Sequence, residues 1–178
     1  MAASNTYKIA LIGTGDVGKT SLVIRHTTGL FRKEYNSEQE IVTVIPFNTN
    51  MGMQHTKIAE LGDHSSTESY DGIIYMFDLT RSKTFDYIKI RVLNGPSKIP
   101  SVLVGNKTDM RDREVLWADV ESFMVEQKVA IKYYDYSSKS NYNFEKPFLY
   151  LLKQLINPNL ELIDFPALPP PELRYELQ

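Results

Sequence analysis

The chain has 178 residues, 42% of them hydrophobic and 24% charged, with a net charge of −2, so it is long enough for one domain with a sizeable core and carries no global pull toward nucleic acid or acidic membranes. It contains no cysteine, which excludes a disulfide, a thiolate metal site, a cysteine nucleophile and a prenyl or palmitoyl anchor within these residues. MAASNTYK has no secretory apolar run and no apolar stretch is long enough to span a bilayer, so the expectation is a soluble protein of the cytoplasm, the nucleus or both.

Short apolar runs alternate with helical patterns, the signature of a mostly parallel sheet flanked by helices. Tyr7–Ile12 (YKIALI) is the first strand and Lys19–Thr28 the helix after it. Ile41–Phe47 and Thr56–Leu61 are two further strands, and Gly72–Asp78 (GIIYMFD) and Ser101–Gly105 (SVLVG) read as buried strands. Thr84–Leu93 is a short helix stopped by Asn94-Gly95. Leu116, Val120, Phe123 and Met124 fall on one face of the next helix, and Ile131–Tyr136 follows as a strand. Phe144, Phe148, Leu151, Leu152 and Leu155 line a last helix, with Asn143 as its expected N-cap and Pro147 in its first turn. The domain is expected over residues 1–157. Residues 158–178 read as a Pro-rich extension, packed through Leu160, Leu162 and Phe165.

Gly13-Thr14-Gly15-Asp16-Val17-Gly18-Lys19-Thr20 matches the pattern G-x-x-x-x-G-K-[ST], between a strand and a helix. The glycines let successive backbone N–H groups wrap phosphate oxygens, and the helix N-terminus adds partial positive charge. The phosphate-binding set is therefore Gly15, Asp16, Val17, Gly18, Lys19, Thr20 and Ser21, with Lys19 neutralising the β and γ phosphates and the Thr20 hydroxyl binding Mg²⁺. Asp16 is out of character. A carboxylate about 4 Å from a phosphate charge costs roughly 1–4 kcal/mol, depending on solvent exposure, so Asp16 is expected to speed nucleotide release without preventing binding.

Asn106-Lys107-Thr108-Asp109 follows SVLVG directly, at the strand end where such sheets bind ligands. One carboxylate accepts both the N1–H and the exocyclic NH₂ of guanine, so Asp109 selects guanine over adenine. The Lys107 stem is apt to cover the base, and Asn106 to tie this loop to the phosphate turn. Ser137-Ser138-Lys139 ends the next strand, where a backbone N–H meets the guanine O6.

Together these motifs resemble the small GTPases of the Ras superfamily, the Ran branch most closely. RHTTGLF (25–31), FNTN (47–50), GNKTD (105–109), YYDYSSKSNYNFEKPF (133–148) and NPNLELIDFPALPPPEL (157–173) carry the resemblance. It implies a P-loop NTPase fold of the Ras-like kind, an α/β architecture with a mostly parallel six-stranded sheet, one antiparallel edge strand and helices on both faces. It also implies GTP or GDP with Mg²⁺, a monomer, and Phe31 against the base. Its implied partners are importin- or exportin-type receptors or the regulators of Ran.

The departures lie in the two switch segments. Where the family supplies a threonine to Mg²⁺, this chain has Tyr35-Asn36-Ser37-Glu38-Gln39-Glu40. Ser37 stands in as the ligand, or Glu38 falls there and repels the γ phosphate, or the run is an ordinary solvated acidic loop. Where the family has Asp-Thr-Ala-Gly-Gln, this chain has Glu60-Leu61-Gly62-Asp63-His64. Glu60 keeps a carboxylate for Mg²⁺ through water, and Gly62 or Asp63 takes the γ-phosphate sensor place. His64 falls where glutamine would orient the attacking water, and it reads either as a catalytic stand-in or as an ordinary loop histidine. The second switch is also short, and SSTESYDG is a poor helix former. Two functions follow: a Ran-like guanine-nucleotide-binding protein with weak or absent GTP hydrolysis, or a nucleotide-independent pseudoGTPase that copies the surface of Ran.

Overall fold

The computed structural model describes residues 6–28, 42–62 and 65–164. In chain order the elements are β1 (Thr6–Ile12), α1 (Lys19–Thr28), β2 (Val42–Thr49), β3 (Gly52–Leu61), β4 (Gly72–Asp78), α2 (Ser82–Leu93), β5 (Ser101–Asn106), α3 (Trp117–Glu126), β6 (Lys132–Asp135), α4 (Lys146–Leu155) and β7 (Leu162–Asp164). They form one sheet in the order β6-β5-β4-β1-β3-β2-β7. The β6, β5, β4, β1 and β3 strands pair in parallel, and β2 pairs antiparallel with both β3 and β7.

Alternation along the strands builds two cores. Ile9, Leu11, Ile58, Ile74, Met76, Val102 and Val104 face α1 and α4, meeting Leu22, Phe148 and Leu152. Ala10, Ile12, Ile73, Tyr75, Phe77 and Leu103 face α2 and α3, meeting Phe85, Ile88, Val120 and Phe123. Every residue of β4 is buried, as its unbroken apolar run requires of a central parallel strand covered on both faces. The helices therefore sit on both faces, as expected, and the strand C-termini of β1, β4 and β5 gather along one rim of the sheet.

The expected sheet of six strands has a seventh. Glu161, Leu162 and Asp164 run beside the β2–β3 turn, where Asn50 N–H donates to the Glu161 carbonyl at 3.0 Å, the Asn50 side-chain oxygen accepts the Glu161 N–H at 3.0 Å, and Asn50 Nδ2 donates to the Asn159 carbonyl at 3.1 Å. Leu160 is fully buried and Leu162 partly buried against the first core. As a result the antiparallel strand β2 has a second neighbour at Asn48 and Thr49. Phe165 lies outside the described residues.

Two helix starts also differ from expectation. Leu116 sits at the N-cap of α3 and is exposed, and the Asp119 carboxylate reaches back to accept its N–H at 2.7 Å. An N-cap residue precedes the helical turn, so Leu116 does not share the buried face of Val120 and Phe123. The N-cap of α4 is Glu145 rather than Asn143. Asn143 has a left-handed φ of 53° in the preceding turn, and its side chain donates instead to the Asp135 carbonyl at 2.7 Å. Pro147 does lie in the first turn.

Candidate functional site

The turn from β1 into α1 wraps around Lys19. Its ammonium donates to the carbonyls of Gly13 at 2.6 Å and Thr14 at 3.0 Å, so the cation spans the turn it would share with phosphates. Val17 anchors the turn in the core with no exposed surface. Gly18 has a φ of 99°, and a Cβ there would strike Asn106 Nδ2, so only glycine fits. Asp16 adopts a left-handed φ of 62° and is exposed. Gly15 is exposed beside it, and Ser21 is half-buried in the first turn of α1.

Thr20 Oγ1 donates to Glu60 Oε2 at 2.7 Å. Burial pushes the Glu60 pKa up, outweighing the Thr20 hydrogen bond and the Lys19 charge that pull it down. Glu60 Oε1 is buried without a hydrogen-bond partner among the described residues. A hydroxyl and a carboxylate side by side, one oxygen unspent, make a hard-oxygen donor set that suits Mg²⁺. Thr20 would hold the ion, with Glu60 behind it directly or through water, and the ion would neutralise phosphate charge.

The second half of the site comes from β5 and β6. Asn106, buried at the end of β5, donates from Nδ2 to the Val17 carbonyl at 2.8 Å, and its Oδ1 accepts the Ser138 N–H at 3.4 Å. It therefore ties the phosphate turn to both loops of the expected guanine pocket. The Ser137 hydroxyl donates to Asp109 Oδ1 at 2.6 Å, fixing the carboxylate that would read guanine. Thr108 N–H donates to the Tyr136 carbonyl at 3.1 Å, locking the two loops together. Lys139 follows, half-buried. Arg113 holds the base of this region through paired hydrogen bonds to Asp135 at 2.8 and 2.9 Å, and Tyr133 donates a short one to the same carboxylate.

Sequence reasoning missed one member. Asp78 ends β4 with its side chain wholly buried, and its Oδ2 accepts Lys107 Nζ at 2.7 Å and Arg81 Nε at 3.1 Å. Burial alone would push its pKa up, but Lys107 and Thr80 more than offset this and hold it below the usual range. Lys107 itself has a left-handed φ of 67°. The available signal was a carboxylate closing a wholly apolar strand at the ligand-binding rim.

Phe31, Ser37, Asp63 and His64 lie outside the described residues. After β3 the Ser65 N–H donates to the Gly62 carbonyl at 3.3 Å, and Arg91 of α2 donates from Nη2 to the Ser65 carbonyl at 3.3 Å. No helix forms among the described residues between β3 and β4. No helix among the described residues is long and apolar enough to cross a membrane.

A phosphate turn on β1, a Thr–Glu pair for a divalent cation and an Asn-Lys-x-Asp loop on β5, all along one rim of a parallel sheet, define a P-loop nucleotide-binding protein. The model of the Ras family matches residues 8–157, and the chain belongs to that family. It is thus a small GTPase of the kind that binds guanine nucleotides.

Proposed function

We propose that this protein is a Ran-like GTPase that holds GTP or GDP with Mg²⁺ and hydrolyses GTP slowly or not at all. It works as a switch held mainly in one state, or as a competitor for importin- or exportin-type receptors. The observation that carries this reading is the contrast between two parts of one site. The grip is assembled, with Asn106 on the Val17 carbonyl at 2.8 Å and Ser137 on Asp109 at 2.6 Å. The hydrolytic segment departs from the family in sequence: residues 62–71 contain no glutamine, and their described part forms no helix. The transport role rests on the resemblance of RHTTGLF, FNTN, GNKTD, YYDYSSKSNYNFEKPF and NPNLELIDFPALPPPEL alone. Against a receptor that seeks a basic patch just before Tyr133-Tyr134-Asp135, residues 125–132 carry Lys128 and Lys132 beside Glu126, little excess positive charge.

Two measurements test the reading. Denaturing the purified protein and chromatographing the supernatant should release stoichiometric GDP or GTP; an empty, folded protein would favour the nucleotide-independent reading. Single-turnover hydrolysis with Mg²⁺ should run at or below about 10⁻⁴ s⁻¹, the unassisted scale of such proteins. A His64→Gln variant that hydrolyses faster would put His64 in the water-positioning place, and an unchanged rate would make it a bystander. A wild-type rate well above that scale rejects the proposal.

A further inference from the structure

Asp78 and Arg81 belong to neither nucleotide motif, yet they connect the two. Asp78 is saturated: Oδ1 accepts the Thr80 N–H at 2.9 Å and the Thr80 hydroxyl at 2.7 Å, while Oδ2 accepts Lys107 and Arg81. Arg81, the N-cap residue of α2, uses its other arm to donate from Nη2 to the Gly15 carbonyl at 3.1 Å. A continuous chain therefore runs from Lys107 in the base-reading loop, through a buried carboxylate and a guanidinium, to the phosphate turn.

We infer that Arg81, aimed by Asp78, is a positioning residue for the phosphate turn and couples the hold on the base to the hold on the phosphates. A trans peptide sets its carbonyl and its N–H on opposite sides. Pinning the Gly15 carbonyl to Arg81 therefore fixes the Asp16 N–H of the same peptide pointing away from Arg81, and this turn binds phosphates through such N–H groups. The guanidinium also places positive charge one peptide from the Asp16 carboxylate. Arginine is required because its planar fork reaches Asp78 and Gly15 at once, whereas a lysine ammonium is a point charge that serves one or the other. Charge on Lys107 is shared with the same carboxylate, so disturbing either cation shifts the other. The inference rests on the guanine-nucleotide reading of the site.

The test is the release rate of a fluorescent guanosine diphosphate from the full chain, chased with excess unlabelled GDP. Arg81 is half-exposed, so R81A is expected to fold, with the melting temperature of its nucleotide-free form within error of wild type. Its nucleotide should leave about tenfold faster, the change that ~1.4 kcal/mol makes. R81K should release nearly as fast as R81A. The double variant R81A/K107A should release no faster than the faster single variant, because both changes break one chain. An R81A rate equal to wild type, full rescue by lysine, or rates that multiply in the double variant would each overturn the inference. Wild-type protein that takes up no guanine nucleotide overturns the binding reading and this inference together; unequal outcomes separate the two.

Discussion

The Thr20 hydroxyl points its proton at Glu60, 2.7 Å away across the β1–β3 pair, and this leaves its lone pairs for a cation. The extra methylene of glutamate is accommodated, since one carboxylate oxygen meets Thr20 and the other stays unspent. Glu60→Gln keeps the shape and removes the charge. Magnesium should then slow nucleotide release less effectively, with roughly tenfold weaker apparent metal affinity, the loss usual when a group orienting a metal ligand is replaced. Titrating Mg²⁺ against release rate measures it, and an unchanged midpoint would remove Glu60 from the metal site.

Asp16 combines two costs at one position: a left-handed φ of 62° and a carboxylate beside the phosphate site. Asp16→Gly removes both. Release of GDP should slow by about three- to tenfold, from relief of ~1 kcal/mol of backbone and electrostatic strain. A rate identical to wild type would mean that the Asp16 side chain is fully solvated and the turn unstrained.

His26 gives a pH signature. Its ring stacks on Phe144 at 3.7 Å and meets Phe148 edge-on at 4.5 Å, and burial lowers its pKa to about 3, against a smaller upward pull from the Phe144 backbone. The unfolded chain protonates His26 near its ordinary pKa and the folded chain does not. The contribution is thus complete above about pH 6.5 and is lost as the pH falls toward 3, reaching ~2 kcal/mol by pH 5. His26→Phe should lose less stability than wild type between pH 7 and 5 by about that amount, read from urea unfolding at each pH. Parallel pH profiles for the two proteins would show that the ring is not desolvated.

Leu160 tests the last segment. Fully buried and flanked by the Asn50 hydrogen bonds to Asn159 and Glu161, it is an integral part of the first core. Leu160→Ala should cost about 2–4 kcal/mol in urea unfolding. A loss below ~0.5 kcal/mol would mean the segment is a loose appendage.

What the sequence made legible follows the range of the interactions involved. Gly13–Thr20 and Asn106–Asp109 are contiguous runs whose chemistry is local, so the turn and the helix start could be read from them. Apart from the tie between Asn106 and the phosphate turn, the partnerships could not. Nothing near Glu60 announces Thr20, and nothing near Arg81 announces Gly15, because those contacts exist only once β1, β3 and β4 lie side by side. Leu116 misled because an apolar period alone does not distinguish a cap from a first helical turn. Asn143 misled because a good capping residue also suits a left-handed turn. β7 is too short to show alternation, and its pairing depends on Asn50, far away in the chain.

The short β7 also bears on self-association along the sheet edge. A strand with one bare flank invites another chain to hydrogen-bond along it. Here β7 occupies that flank at Asn48 and Thr49, and the stretch just before is broken by Pro46, which has no N–H to offer. Three residues of backbone and one imino ring thus interrupt the outer flank of β2 as a template for edge-to-edge pairing.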